Sequence, residues 1–326
     1  MRAQRQRGVA LLVALLAVAL AAILIASLLD RGELAFARTR NALRSEQAQA
    51  YAQGLEAYAA EILLKDLADD STIDTNTDIW AQPMPPQQVP GGFIAASARD
   101  LNGCFNLNDL SADADRPGAQ VSAGAKNLFG NLLGVLGVDT KIAQYVQAWL
   151  HDAGAGASTT DAYYLSLPVP YRSSQRRFTH VSELRLVRGV TSEIYARIAP
   201  YVCALPPGTL INVNTASVPI LRSLGPNVTQ AQAEALWQNG TAHMSTDDLT
   251  HLAQSASIKI DPAIQKMLDT KSTYFLASSN ITLDGVPFTF YSLITRDPGI
   301  SVIERSRGSD DALSAAALPG AAASGR

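Results

Sequence analysis

The chain begins with a stretch in which apolar residues occupy every face of a helix. Residues 9–29 carry no charge and read VALLVALLAVALAAILIASLL. A helix of this length spans about 31 Å, the thickness of the hydrocarbon core of a bilayer. Three arginines, Arg2, Arg5 and Arg7, precede the run and orient its amino terminus toward the cytoplasm. The run is too long for the apolar region of a secretory signal peptide, so we predict a single membrane-spanning anchor.

Beyond residue 30 the pattern becomes amphipathic without a break. No proline occurs between residues 31 and 67, and Tyr51, Leu55, Tyr58 and Ile62 recur at spacings of four, three and four. These spacings place the four side chains on one face of a helix. The sequence therefore predicts a stem of almost 60 residues. Its first half lies in the membrane, and its second half lies across a globular domain.

Strand patterns flank a long helical stretch. Residues 69–90 predict a polar loop anchored by Trp80, and residues 93–106 predict two strands around a turn at Asn102 and Gly103. Near the carboxyl end the pattern predicts a three-stranded antiparallel meander over residues 274–282, 288–295 and 300–305. Between these strands, helical periodicity predicts helices within residues 123–148, 181–205, 216–239 and 247–268.

Together these patterns predict an α+β fold: a long amino-terminal helix packed on an antiparallel sheet, with a large all-α domain inserted between the strands. The predicted regions are residues 1–8 (leader), 9–29 (membrane half of the stem), 30–110 (helix and first strands), 111–270 (inserted helical domain), 271–306 (last strands) and 307–326 (disordered tail).

Composition and motifs exclude several classes of protein. The 326 residues contain 26 Lys and Arg against 29 Asp and Glu, which excludes a broadly basic nucleic-acid-binding protein. Two cysteines exclude a four-cysteine zinc site and a disulfide-dense scaffold. The four histidines, His151, His180, His243 and His251, form no metalloprotease pair, and no nucleophile-elbow, dinucleotide-binding or P-loop motif occurs. We therefore predict that the protein is not an enzyme.

The two cysteines, Cys104 and Cys203, are candidates for a disulfide. If the chain beyond the anchor is periplasmic, an oxidising compartment would pair them. The closed loop would hold about 100 residues and stabilise the fold by up to about 4–5 kcal/mol in the chain-entropy model. The alternative is two unpaired, buried thiols.

A loop at residues 149–164 offers Asp152 and Asp161 together with several hydroxyl groups. Carboxylates on a flexible loop suit a hard cation such as Ca²⁺. The spacing matches no EF-hand, however, and two acids in a surface loop are also explained by solvation or helix capping.

Two segments resemble helix-hairpin-helix units, residues 181–205 with a hairpin at Gly189 and residues 211–237 with a turn at Gly225. In DNA-binding proteins such hairpins hold phosphates with backbone amides and nearby basic side chains. The first unit lies in a mildly basic stretch, whereas the second carries Arg222 against Glu234 and no basic residue in its hairpin. We predict packing modules that bind no nucleic acid.

Five blocks carry a family resemblance. They are RGVALLVALLAVAL from Arg7, DLNGCFNLNDL at residues 100–110, YYLSLPVPYRSS at 163–174, FTHVSELRLVRGVTSEIYARIAPYVCALP at 178–206 and INVNTA at 211–216. In this order they resemble the general secretion pathway protein K family, the large minor pseudopilins of type II secretion systems. The resemblance spans residues 7–305 and implies a pilin-like fold.

The resemblance also implies how the amino terminus is processed. A prepilin peptidase would cleave between Gly8 and Val9 and methylate the new amino group of Val9. Most pilins carry Glu at the fifth mature position, whereas this chain has Val13 there, as the family does. A carboxylate in the membrane raises the free energy of the chain unless a partner group pairs with it. A subunit at the tip has no neighbour above it to provide such a partner, so an apolar residue at Val13 fits a tip position.

The partners implied are the minor pseudopilins I and J in a tip complex, protein H as the link, and the major pseudopilin G of the shaft. The tip would prime pseudopilus assembly in the bacterial inner membrane, with the globular part in the periplasm, for the export of folded proteins. Family members bind calcium in the loop that holds Asp152 and Asp161, although this loop lacks the family's usual acids. The alternatives are a minor pilin of a type IV pilus and a membrane-anchored helix-hairpin-helix DNA-binding protein.

Overall fold

A computed structural model of the chain describes residues 3–69, 73–111, 122–150, 157–252 and 258–308. The predicted tail at residues 307–326 lies outside the described residues, except for its first two positions. The first of these, Arg307, still belongs to the last strand.

One helix, α1 (Ala3–Asp69), forms the predicted stem. Its distal half packs on the sheet through a stripe of small and apolar side chains, Ala48, Ala52, Leu55 and Leu63. The alanines let the helix backbone approach the strands closely. The prediction that Tyr58 lies on this stripe is wrong, since its side chain is 48% exposed. The true stripe is set by the alanines, whose short side chains gave little signal in the sequence.

The sheet has five antiparallel strands in spatial order β1-β2-β3-β4-β5. The strands are β1 (Met84–Val89), β2 (Gly92–Asp100), β3 (Tyr274–Leu283), β4 (Val286–Thr295) and β5 (Ser301–Arg307). The last three form the predicted meander, and the turn between β3 and β4 places Asp284 and Gly285 at φ +47° and +78°. Two successive positive φ angles are the geometry that Asp-Gly hairpin turns favour.

The predicted hairpin at Asn102 and Gly103 is wrong. Strand β2 pairs instead with β1 across a turn at Gly91 and, on its other side, with β3. Residues 84–89, which were predicted as part of a loop, form an edge strand. Prolines 85 and 86 are compatible with this position because the free side of an edge strand needs no hydrogen-bond donors.

Residues 122–252 and 258–270, hereafter the helical segment, separate β2 from β3. The helices are α2 (Ala123–Val135), α3 (Lys141–Leu150), α4 (Ala157–Leu165), α5 (Ser192–Ile198), α6 (Val218–Arg222), α7 (Gln230–Trp237), α8 (Thr246–Leu252) and α9 (Pro262–Gln265). The helix predicted over residues 247–268 is broken, because Pro262 starts a new helix. The segment has its own core, which includes Phe129, Leu132 and Trp149.

Both helix-hairpin-helix units are present in outline. In the first, a 3₁₀ helix (Val181–Leu186) leads into a turn at Gly189, with φ +79°, and then into α5. In the second, α6 and α7 flank the turn that contains Gly225. The predicted α+β class, with a long helix on an antiparallel sheet and a helical insertion, is confirmed.

Candidate functional site

The membrane half of α1 is apolar and uncovered by the rest of the chain. Among the described residues, one helix is long and apolar enough to cross a membrane. It begins at Val9, and none of its most apolar window is buried inside the protein. Six turns of exposed Leu, Val, Ile and Ala are not stable against water, so this surface requires lipid or neighbouring apolar helices. The predicted single-pass anchor is consistent with this surface.

The predicted processing site lies within the same helix. Residues 3–8 continue α1 without a break into Val9, so the Gly8–Val9 bond is helical in this structure. Val13, the fifth residue of the predicted mature chain, is exposed and apolar, as expected of a surface that contacts lipid hydrocarbon. Cleavage after Gly8 and methylation of Val9 stay predictions.

At its distal end α1 is tied to the sheet by a buried arginine. The guanidinium of Arg296, the residue directly after β4, donates through Nη2 to Asp66 of α1 at 2.6 Å and through Nη1 to Asp74. Its carbon lies 4.5 Å from the ring centroid of Phe275. Burial raises the pKa of Asp66 to about 6 and raises that of Asp74, while Arg296 opposes both shifts. Asp78 adds a third carboxylate, but the guanidinium supplies the counter-charge here.

A second buried carboxylate, Asp100, joins the sheet to the helical segment. Its Oδ2 accepts hydrogen bonds from the hydroxyls of Thr215 and, at 2.7 Å, Ser272, and its Oδ1 accepts one from the backbone N–H of Asn102 at 2.7 Å. Complete burial raises the pKa of Asp100 to about 6, and these three hydrogen bonds limit the rise. Residues from β2, the helical segment and the short connection into β3 therefore converge on one carboxyl group.

Buried asparagines connect the same segments through backbone groups. The Asn102 side chain accepts from the backbone N–H groups of residues 273 and 274 and donates to the carbonyl of Leu210 at 2.8 Å. Asn212 donates to the carbonyl of Asp74 at 2.9 Å and to the hydroxyl of Ser272 at 2.7 Å. These side chains hold three distant parts of the chain together at the junction between sheet and helices.

A second set of polar side chains lies in the block DLNGCFNLNDL. Asn108 accepts from the backbone N–H of Phe178 at 2.8 Å and donates to the carbonyls of Phe178 and Leu205. Asn106 accepts from the N–H of Leu205 at 3.0 Å. Sequence reasoning used these blocks for their family resemblance and missed their structural role. The available signal was the repeated Asn between apolar residues, which is rare in a core unless every amide group is paired.

The neighbouring Asp109 gives a pH-dependent prediction. One carboxylate oxygen accepts from the N–H of Gly208 at 2.7 Å and from Asn106 at 3.1 Å, and the other has no partner among the described residues. Burial raises the pKa of Asp109 from 3.8 to about 6, so the folded state keeps its proton longer than the unfolded state. The stability that this proton provides is complete below pH 3.8 and is lost as the pH rises through about 6.

Asp109→Asn cannot ionise and retains an oxygen for both donors. Its free energy of unfolding, relative to the parent chain, is expected to rise by about 2 kcal/mol between pH 4 and pH 7. Urea unfolding of the full-length chain in detergent, followed by tryptophan fluorescence, measures this difference. A difference that stays constant across the range would show that Asp109 ionises equally in the folded and unfolded states.

The structure places the predicted disulfide partners side by side as free thiols. Asn106 pairs with Cys203 in a short parallel ladder, and the sulfur atoms of Cys104 and Cys203 lie 2.8 Å and 3.5 Å from the same carbonyl oxygen, that of Leu101. Burial raises the pKa of the Cys203 thiol, and the hydrogen bond with Cys104 raises it further. The pairing of the two sulfurs stays a prediction.

If the bond forms, the chain isolated without reductant is expected to lack two free thiols and to weigh about 2 Da less than its reduced form. Mass spectrometry after alkylation measures both properties. The double variant Cys104→Ser with Cys203→Ser should then unfold at lower urea concentration than the oxidised chain. Full alkylation of both cysteines without reductant would contradict the pairing.

The candidate calcium residues are only partly described. Asp152 lies outside the described residues. Asp161 accepts hydrogen bonds from the N–H and the hydroxyl of Ser173, at 3.1 and 2.9 Å, and its other oxygen lies 3.8 Å from the guanidinium of Arg172. A nearby positive charge competes with a divalent cation, so the described part of this loop does not by itself fit Ca²⁺. Calcium binding stays a prediction.

The family model for "Type II secretion system (T2SS), protein K" matches residues 103–207. The type II secretion system protein K of Pectobacterium carotovorum subsp. carotovorum is 33% identical over 93% of this chain and 97% of its own length. That of Pseudomonas aeruginosa is 34% identical over 77% of this chain and 78% of its own length.

A solved structure is similar as well. It is a chain from the crystal structure of the GspK-GspI-GspJ complex of enterotoxigenic Escherichia coli, with a TM-score of 0.69 and 29% sequence identity. The match covers 83% of the present chain and 99% of that chain.

Proposed function

The chain belongs to the protein K family of the type II secretion system, and on this premise we propose that it is a minor pseudopilin at the tip of the pseudopilus. It assembles there with minor pseudopilins I and J and primes the pseudopilus for the export of folded proteins. The observation that carries this proposal is the match, over 83% of the chain, to one chain of a solved GspK-GspI-GspJ complex.

The exposed stem supports an assembly role. Its apolar surface has no partner within the described chain, and the stems of other pseudopilins are helices of the kind that could cover it. Because Val13 is apolar, the membrane half of α1 has no carboxylate at this position that would need a partner group from a subunit above it. The chain thus presents an apolar stem and a large distal domain, which suits a cap that protein H links to the shaft of pseudopilin G.

The orientation in the envelope follows from charge. Arginines at the amino terminus favour a cytoplasmic leader, which places the sheet and the helical segment in the periplasm. In this orientation a prepilin peptidase reaches the Gly8–Val9 bond from the membrane. The proposed role is structural, and the buried polar clusters described above serve to connect segments rather than to contact a substrate.

Co-purification tests the proposal. The full-length chain, carrying an affinity tag, is expressed with pseudopilins I and J of its own secretion system and, separately, with minor pilins of a type IV pilus. We expect I and J to remain bound through detergent extraction and gel filtration, and the type IV pilins to be lost. Recovery of the chain without I and J, or with the type IV pilins instead, would overturn the proposal.

A further inference from the structure

The surface of the helical segment holds one arginine in an unusual setting. The guanidinium carbon of Arg188 lies 4.4 Å from the ring centroid of Tyr163 and 4.9 Å from that of Tyr145. The Arg188 backbone N–H donates to the hydroxyl of buried Tyr164 at 3.1 Å. The next residue is Gly189, whose turn packs against Ile142 of α3. The first helix-hairpin-helix unit therefore fixes Arg188 over two aromatic rings.

This arrangement prepares the guanidinium for a ligand. Stacking covers the planar face of an arginine and leaves its N–H groups at the edges, where they donate to anions. No carboxylate among the described residues pairs with Arg188. Because the side chain is already ordered, little rotamer entropy remains to be lost on binding.

Two exposed aliphatic side chains belong to the segments that hold this arginine, Leu186 two positions before Arg188 and Val169 two positions before Tyr171. Leu186 is 44% exposed, and its carbonyl accepts a hydrogen bond from the hydroxyl of Tyr171 at 2.9 Å. This bond holds the segment that carries Val169, which is 78% exposed. We call Arg188, Tyr145, Tyr163, Leu186 and Val169 the arginine platform. Arginine and tyrosine together with exposed aliphatic side chains are typical of the energetic centres of protein–protein interfaces.

The charge around the platform is opposite to that of the whole protein. Residues 162–197 contain six arginines and two glutamates, in a chain whose net charge is −3. Both glutamates are already paired within the segment, Glu183 with Arg176 and Glu193 with Arg197. Arg172 also lies 3.8 Å from Asp161, and the segment as a whole still carries a net positive charge, which favours a partner of opposite sign.

The helical segment that carries the platform is attached at the end of α1 opposite to the apolar run. About 40 residues of α1, or roughly 60 Å, separate the end of the apolar run from Asp69. The helical segment is attached near that end, where the Asp74 N–H donates to the carbonyl of Thr270 at 2.8 Å and the Asp74 carboxylate accepts from the N–H of Ser272 at 2.7 Å. A partner that binds the platform therefore contacts a segment that is attached away from the membrane half of α1.

We propose that the arginine platform binds an acidic surface of another protein. A carboxylate of the partner pairs with the edge of the Arg188 guanidinium, and apolar partner residues cover Leu186 and Val169. These aliphatic side chains favour a protein over a nucleic acid, whose phosphates would leave them in contact with water. The inference goes beyond the assembly function and does not depend on it, because pseudopilins I and J are absent from the test.

Fluorescence anisotropy tests the proposal with the full-length chain in an uncharged detergent. The probe is a labelled peptide of repeated Asp-Glu-Leu-Tyr, and the matched peptide of repeated Asn-Gln-Leu-Tyr lacks only the charges. We expect binding of the acidic peptide that weakens with salt, and at least about tenfold weaker binding of the neutral peptide. A labelled DNA duplex serves as the competing ligand class.

Two variants separate binding from folding. Arg188→Glu reverses the charge over the tyrosines, and Val169→Asp adds a negative charge at a position too exposed to disturb the core. Each is expected to weaken binding of the acidic peptide about tenfold, whereas Lys259→Glu, an exposed cation elsewhere in the helical segment, should leave it unchanged. Equal binding by all variants, no preference for the acidic peptide, or stronger binding of DNA would each overturn the proposal.

Discussion

Arg296→Ala is expected to lower the free energy of unfolding by about 3–5 kcal/mol near pH 7. The substitution leaves Asp66 and Asp74 buried without their shared cation, and both carboxylates lose charge-assisted hydrogen bonds. It also removes the contact with the ring of Phe275. Urea unfolding of the full-length chain in detergent measures the loss.

The loss should depend on pH in a defined direction. Burial already raises the pKa of Asp66 to about 6 and raises that of Asp74, and removing the guanidinium raises both further. Protonated carboxyls no longer need the cation, so the destabilisation is expected to be largest above pH 6 and to shrink toward pH 4.

A surface pair provides the matched control for Arg296. Arg197 and Glu193 form an ion pair at 2.6 Å in which both side chains are largely exposed. Arg197→Ala should therefore cost less than about 1 kcal/mol, at any pH in this range. If Arg296→Ala cost no more than Arg197→Ala, the distal end of α1 would not depend on this arginine.

Asn108→Ala is expected to lower the free energy of unfolding by about 3–4 kcal/mol, because it leaves three buried backbone groups on two segments without hydrogen-bond partners. These are the N–H and carbonyl of Phe178 and the carbonyl of Leu205. Asn108→Asp should be at least as damaging, since a carboxylate replaces an amide donor between two carbonyl oxygens. The same urea titration measures both variants.

Asn280 on β3 is the control for this substitution. Its side chain is exposed and accepts a single hydrogen bond, from the hydroxyl of Thr289 at 3.2 Å. Asn280→Ala should change stability by less than about 1 kcal/mol. A similar small effect at Asn108 would mean that water replaces the three lost hydrogen bonds, which contradicts the role assigned to it.

The sequence predicted those parts of the fold that depend on neighbouring residues. The anchor follows from an uncharged run that begins at Val9, and the meander follows from local alternation and a turn at Asp284 and Gly285. The same local reasoning failed at Asn102 and Gly103, because the Asn102 side chain bonds to residues more than 100 positions away. Such a partner outweighs the local preference of Asn-Gly for a hairpin.

The candidate sites likewise divide into those that the sequence alone could suggest and those that only distant residues bring together. Cys104 and Cys203 could be proposed as a pair from their number and compartment alone, whereas Arg296 and its partners Asp66 and Asp74 lie more than 220 positions apart. No spacing rule connects residues across such a distance. The position of Arg188 over two tyrosines is likewise set by the packing of the hairpin on α3, which the sequence does not encode locally.

Intact mass and amino-terminal sequencing of the chain, isolated from its native membrane, test the central claim most directly. A pseudopilin is processed at the junction between the leader and the apolar helix. We predict that the mature chain starts at Val9 and carries one added methyl group on its amino terminus. A chain that retains Met1, or one that begins beyond residue 27, would contradict the account.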